Sequence, residues 1–179
     1  NSNRVSACAI GFVAVSSGQI VASKGYLIKP VGGHAPFQSR IHGIKEEHTN
    51  DKLTFAALYP EISDIFNYQI VAHSLFDEQV LRALAQHYCL SLDFEYHDTS
   101  AIAKRRLPEL KNHKLKTLVK HFELPAFKHH DAVEDAMACA RVYLKLLDLD
   151  REKPLANPCD SRVLFKGLIS SILEDDIVD

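Results

Sequence analysis

The sequence lacks a carboxylate anywhere before Glu46, and it lacks a CxxC pair, an internal repeat and a long apolar run. Its four cysteines, Cys8, Cys89, Cys139 and Cys159, are widely scattered. That spacing argues against a zinc ribbon and a disulfide scaffold, and it fits a reducing cytoplasm, where we place the protein. The longest strongly apolar stretch, Ala7 to Val15, falls far short of the ~20 residues that a membrane helix needs. No signal-peptide pattern is present either, so no membrane partner is expected. What is there is ordinary for a globular chain: 179 residues, 46% apolar and 25% charged, enough for one domain with a sizeable core. The only methionine is Met137 and the first residue is Asn1, which reads as a piece of a longer polypeptide.

A net charge of −2 conceals alternating blocks. Residues 1–45 carry +5, 46–103 carry −8, 104–128 carry +6 and 129–179 carry −5. Two readings of this pattern stand side by side. The basic blocks hold an anionic polymer while acidic clusters hold metal ions, or all four are a mixed solvated surface.

Periodicity places the elements. Val5 to Val15 reads as a buried strand, Ser16 to Gln19 as a turn and Ile20 to Ile28 as the second arm of a hairpin. Pro30 to Pro36 reads as loop. Leu53 to Phe66 has helical spacing, with Pro60 set to kink or break it. Tyr68 to Ala72 and Phe94 to His97 read as short strands. Leu75 to Tyr88, Thr99 to Leu107, Lys114 to Phe122 and Asp131 to Leu147 read as helices. The expectation is an α/β domain over residues 1–147, a mixed sheet flanked by helices. Residues 148–179 read as a linker and tail, with an amphipathic helix over Ser161 to Leu173 and an acidic, frayed end.

Two junctions deliver carboxylates to helix starts. In I-V-A-H-S-L-F-D a strand leads into Asp77, although Ser74 and Asp77 also fit a capping box. In H-H-D-A-V-E-D-A, residues 129–136, Asp131 and Glu134 are explained as a cap and its partner. That leaves His130 and Asp135 free to face one pocket. A histidine that titrates near neutrality can take a proton from water, and carboxylate oxygens suit hard divalent ions.

The strings I-H-G-I (41–44), F-D (76–77), H-K-L (113–115) and H-H-D-A-V-E-D-A-x-x-C-A (129–140) together resemble the DEDDh exonucleases. These are the DnaQ-like group that includes the proofreading epsilon subunit of bacterial DNA polymerase III. The resemblance runs from Asn1 to Leu147. It implies a ribonuclease H-like fold and metal-dependent 3′–5′ hydrolysis of DNA to nucleoside 5′-monophosphates, in proofreading or repair. It implies two divalent ions, Mg2+ or Mn2+, with Asp77 and Asp135 matching two of the four metal ligands and His130 the general base. Implied partners are nucleic acid with a 3′ end, single-stranded DNA foremost, and a polymerase subunit.

His42 and Phe76 match positions that line the terminal nucleotide, or are simply a loop histidine and a core phenylalanine. The basic block Lys104, Arg105, Arg106, Lys111, Lys114, Lys116, Lys120 and Lys128 contacts phosphates or only water.

The chain departs from the family at its first motif, a D-x-E on the central strand, which nothing in residues 1–45 supplies. The expectation is a sheet missing its central strand, with unpaired edges beside it. His73 stands where the family more often has Asn. Alternatives that keep the fold are a catalytically inert nucleic-acid-binding or polymerase-associated scaffold, and an exoribonuclease.

Overall fold

The computed structural model describes residues 2–34, 36–152 and 163–169. Ser2–Val5 form a 3-10 turn that leads into β1 (Ala9–Ser16). The chain reverses through Ser17 and Gly18, both at positive φ, into β2 (Gln19–Leu27). Two successive left-handed residues match the twist of a two-residue hairpin, and the antiparallel register Ser16↔Gln19 follows.

Two short helices precede the first long one: α1 (Pro36–His42) and α2 (Glu46–Thr49). α3 (Phe55–Ile62) is capped by Thr54, whose hydroxyl accepts the Ala57 amide. Pro60 lies inside α3 without breaking it, and the chain tightens to 3-10 geometry over Ser63–Asn67. Then come β3 (Gln69–Ala72), α4 (Phe76–His87), β4 (Tyr96–Asp98), α5 (Thr99–Arg106), α6 (Leu115–His121), α7 (Ala132–Glu152) and β5 (Val163–Ile169).

The five strands form one sheet in the order β2-β1-β5-β3-β4. β5 runs antiparallel to β1 and parallel to β3, and β3 runs parallel to β4. Side chains alternate across β1. Ile10 and Phe12 join Phe55, Leu58, Ile62, Ile70, Val80, Leu81 and Leu84 in a core under α3 and α4. Val13 and Val15 join Val71, Leu118, Ala136, Ala140, Val142 and Leu146 in a second core under α5, α6 and α7. Both faces of the sheet are therefore covered around β1, which is almost wholly buried, whereas the edge strand β2 is mostly exposed.

α7 approaches the sheet over glycine. Gly11 of β1 stands opposite Gly25 of β2 on one side and Gly167 of β5 on the other. A Cβ on Gly11 would lie 2.3 Å from the Ala132 carbonyl oxygen, and one on Gly25 2.5 Å from Val133 Cγ2. This row without side chains lets the first turn of α7 sit directly on the backbone, which fixes where residues 129–135 come to rest.

The structure corrects the sequence reading at the far end of the chain. The stretch Val163–Ile169, expected within an amphipathic helix, is a strand. Val163 and Phe165 favour extended backbone, and Gly167 costs ~1 kcal/mol inside a helix. The larger cause is tertiary: β1 and β3 each present a row of backbone donors and acceptors that must be paired, and β5 pairs both. The central position is thus filled, not left with bare edges. α7 also runs past Leu147 to Glu152. The remaining linker, residues 153–158, and the acidic end, 174–179, lie outside the described residues. Among the described residues no helix is long and apolar enough to cross a membrane.

Candidate active site

Three chain segments build the site. The first is the turn between β3 and α4. Ser74 holds φ +88°, a conformation costly for a residue with a side chain. It is pinned from β4: its amide donates to Asp98 Oδ1 at 2.9 Å, and the Tyr96 hydroxyl donates to its carbonyl. Its own hydroxyl accepts the Phe76 amide at 3.3 Å. This fixes the start of α4, where Asp77 occupies the first turn and is only 8% exposed. Phe76 is partly buried, with the Arg4 guanidinium 5.3 Å from its ring centre.

The second segment is the start of α5. Asp98 caps this helix, accepting the Ser100 amide at 2.8 Å as well as that of Ser74. Thr99 sits beneath it, fully buried. His73 bridges elements: Nδ1 lies 2.8 Å from Thr99 Oγ1, and Nε2 donates to the His113 carbonyl at 2.9 Å. That contact holds the chain just before Lys114, the residue preceding α6, against the end of the sheet.

The third segment is the entry to α7. Asp131 caps it, Oδ1 accepting the amides of Val133 at 3.1 Å and Glu134 at 3.3 Å. The cap predicted for Asp131 is thus present. His130 takes φ +72°. Asp135 holds this turn with both oxygens: Oδ1 accepts His129 Nδ1–H at 2.8 Å, and Oδ2 accepts the His130 amide at 3.0 Å. The rings of His129 and His130 stack with centres 3.8 Å apart, and Phe127 meets His129 edge-on.

A buried thiol reports how these segments converge. Cys139, one turn beyond Asp135, has its pKa pushed far up, first by burial and then by the negative charges of Asp77, Asp98 and Asp135; the Thr99 hydroxyl partly opposes this. Tyr96 is raised likewise by burial, then by Asp77. Carboxylates from α4, β4 and α7 therefore share one electrostatic neighbourhood. Asp98 escaped the sequence reading. The D-T-S string before a helix signals a cap, and only the fold brings that cap beside Asp77.

His42, at the end of α1, completes one side. Its Nδ1 accepts the Ile44 amide at 3.0 Å, and Nε2 lies 3.8 Å from Cys8 Sγ. Burial holds its pKa below the ordinary 6.5, with smaller contributions from the positive charges of His34 and His130. His42 and His130 are thus within electrostatic reach of each other. A depressed pKa means the unfolded chain binds the proton more tightly. His42 then contributes stability that is present above pH 6.5 and lost as pH falls through its lower folded value. Replacing His42 with Gln should make the fall in urea midpoint between pH 7 and pH 5 shallower; an unchanged slope would remove His42 as its source.

Oxygen donors such as Asp77 and Asp135 suit a hard divalent ion. Among the described residues, however, the one group of three metal-ligating side chains with donor atoms within 4.8 Å of one another is His129, His130 and Asp135. β5, next to β3, has no acidic residue in Val163–Ile169. The described residues thus fit part of a cation site and do not complete a cage for two ions.

Comparison with known proteins agrees with this architecture. The exonuclease (RNase_T) family model matches residues 2–143. The PolC-type DNA polymerase III of Thermotoga petrophila is 35% identical over 144 residues, 78% of this chain and 10% of that protein. The PolC-type enzyme of Caldanaerobacter subterraneus is 29% identical over 141 residues, again 78% and 10%. The chain spans about a tenth of the length of these curated relatives. Among solved structures, exonuclease X in complex with 5′ overhanging duplex DNA superposes with a TM-score of 0.59 at 24% identity, covering 83% of this chain and 85% of that one. The nuclease domain of 3′hExo, a DEDDh family member bound to rAMP, gives 0.64 at 12% identity, covering 86% and 79%. With the family model spanning most of the chain and its sheet flanked by helices as in these nucleases, the protein belongs to the exonuclease family.

Proposed function

We propose that this domain removes nucleotides one at a time from the 3′ end of DNA, with Asp77 and Asp135 holding divalent ions and His130 acting as general base. What supports this reading is that Asp77 and Asp135 both lie within electrostatic reach of the buried Cys139, with the His130 amide bonded to Asp135 at the same helix start. Magnesium or manganese, when bound, would polarise the attacked phosphate and lower the pKa of the attacking water. The chain's own part is positioning. Asp135 holds the His130 backbone, so the imidazole stands at a fixed place in the turn. Its ring nitrogen accepts the proton as water oxygen bonds to phosphorus. The bond from phosphorus to the preceding 3′ oxygen breaks, that oxygen is protonated, and a nucleoside 5′-monophosphate leaves.

Phe76 offers a face for the terminal base, and His42, within electrostatic reach of His130, offers it a second contact. Lys114 stands at the start of α6, where the basic block can neutralise phosphates of the incoming strand. The PolC-type relatives support a polymerase setting in the cytoplasm, with proofreading or repair as the role. A second reading, an inert domain that only binds nucleic acid, is favoured by one observation: β5 brings no carboxylate to the centre of the sheet.

Matched 5′-labelled DNA and RNA strands decide among these. Incubated with Mn2+ or Mg2+, DNA should shorten stepwise from its 3′ end with release of mononucleotides, and a chelator should stop it. Equal or faster loss of RNA would assign the exoribonuclease reading. Retarded migration without cleavage in either metal would replace the enzyme by the inert binder.

A further inference from the structure

His129 has no part in the hydrolysis proposed above, yet its imidazole has neighbours on three sides. Asp135 holds its Nδ1, Phe127 meets its edge, and His130 stacks on its face. Its side chain is 21% exposed and that of Asp135 16%, so an ion can reach both. One nitrogen from each histidine and one oxygen of Asp135 lie within 4.8 Å of one another.

We propose that His129, His130 and Asp135 form a site for a borderline transition-metal ion such as Zn2+, with a donor set different from that of an oxygen-only magnesium cage. Two imidazoles and a carboxylate match zinc and its neighbours, whereas Mg2+ prefers oxygen alone and sheds water reluctantly. Bonds of about 2.1 Å to one ion require donors roughly 3.0–3.4 Å apart. The His129 Nδ1 to Asp135 Oδ1 separation is 2.8 Å, so that pair opens by a few tenths of an ångström to admit the ion, and the His130 nitrogen, within 4.8 Å of both, closes on it. The hydrogen bond between them is exchanged for two metal bonds. His129 changes tautomer, its proton passing from Nδ1 to Nε2 through water, and no net proton is lost. The Asp131 cap and the close approach of Ala132 to Gly11 keep the turn in place while this happens. An ion here ties up the His130 ring, so micromolar Zn2+ should inhibit a reaction that needs this base. That last consequence rests on the nuclease reading; the binding does not.

Cobalt(II) is the probe, because its visible absorption reports nitrogen ligation directly and it substitutes for zinc. The full chain should bind one equivalent, Zn2+ should displace it, and a thousandfold excess of Mg2+ should not. His129→Gln and His130→Gln should each weaken binding by about 10- to 100-fold. His87→Gln, on an exposed helix end, should leave it unchanged. A second readout needs no variant: in the unaltered protein, bound Co2+ should shift the NMR ring signals of two histidines together. Binding by His129→Gln as tight as by the parent, or displacement by Mg2+, overturns the site. If no substrate is cleaved but the cobalt spectrum appears as described, the site stands and the nuclease reading falls.

Discussion

Replacing Gly11 with Ala should cost this domain about 3 kcal/mol or more of stability. The new Cβ would lie 2.3 Å from the Ala132 carbonyl oxygen, 2.4 Å from its carbonyl carbon and 2.7 Å from the Val133 nitrogen. All three are backbone atoms, so no rotamer change relieves the clash. α7 must lift off the sheet, and its long apolar face loses contact with Val13 and Val71. Gly25 provides the contrast. There the obstacle is Val133 Cγ2 at 2.5 Å, a side-chain atom. Gly25→Ala should be substantially rescued by Val133→Ala, whereas Gly11→Ala should not. Gly18→Ala meets nothing within 4 Å and carries only the cost of its positive φ, about 1 kcal/mol. Urea unfolding of the three single glycine variants and of the two combinations with Val133→Ala tests the ranking. A Gly11→Ala midpoint matching that of Gly18→Ala would mean that α7 does not sit on the β1 backbone.

Asp135→Asn should lower nuclease turnover by roughly two to four orders of magnitude, the range expected when a general base is misplaced. The change is isosteric, but the hydrogen bonding is not. Asp135 accepts two donors, His129 Nδ1–H and the His130 amide, one on each oxygen. An asparagine offers one acceptor, for the His130 amide, and turns its NH2 to His129 Nδ1, which must then give up its proton and take the other tautomer. The carboxylate charge that grips the His130 amide at φ +72° is gone, so the imidazole is held less firmly in its position. The variant also loses an oxygen donor for a cation. Charge-assisted hydrogen bonds of this kind contribute about 1.5–3 kcal/mol, so the melting temperature should fall with the rate. Glu134→Gln, next door and exposed, should alter neither. Turnover of Asp135→Asn within threefold of the parent would remove Asp135 and its grip on His130 from the mechanism.

The parts of the fold that could be read from the chain are those with a strong local period or punctuation. The β1–β2 hairpin announced itself through Ser17-Gly18, and α4 and α7 through their apolar stripes. α1 was missed, because Pro36, its first residue, reads as the end of a loop and seven residues are too few for a period to show. β5 was illegible for a different reason. Its apolar spacing suits a helix or a strand, and the two unpaired edges that select the strand belong to residues more than 90 positions away. The site divides the same way. Asp77 and Asp135 stood out because each follows a junction and has spare chemistry. Asp98 and His129 looked ordinary, one a helix cap and one half of a histidine pair. Their importance lies in the side chains they meet, Ser74 for the first and Asp135 for the second, and such meetings exist only after folding.

The place of β5 has a consequence for the order of events during synthesis. Its neighbours on both sides, the β2–β1 pair and the β3–β4 pair, leave the ribosome first and have no hydrogen bonds to each other. Their hydrogen-bonded ladders are joined only when Val163–Ile169 emerges. A nascent chain halted after α7 should therefore be sticky and sensitive to protease, and should gain resistance in a single step once translation passes that last stretch.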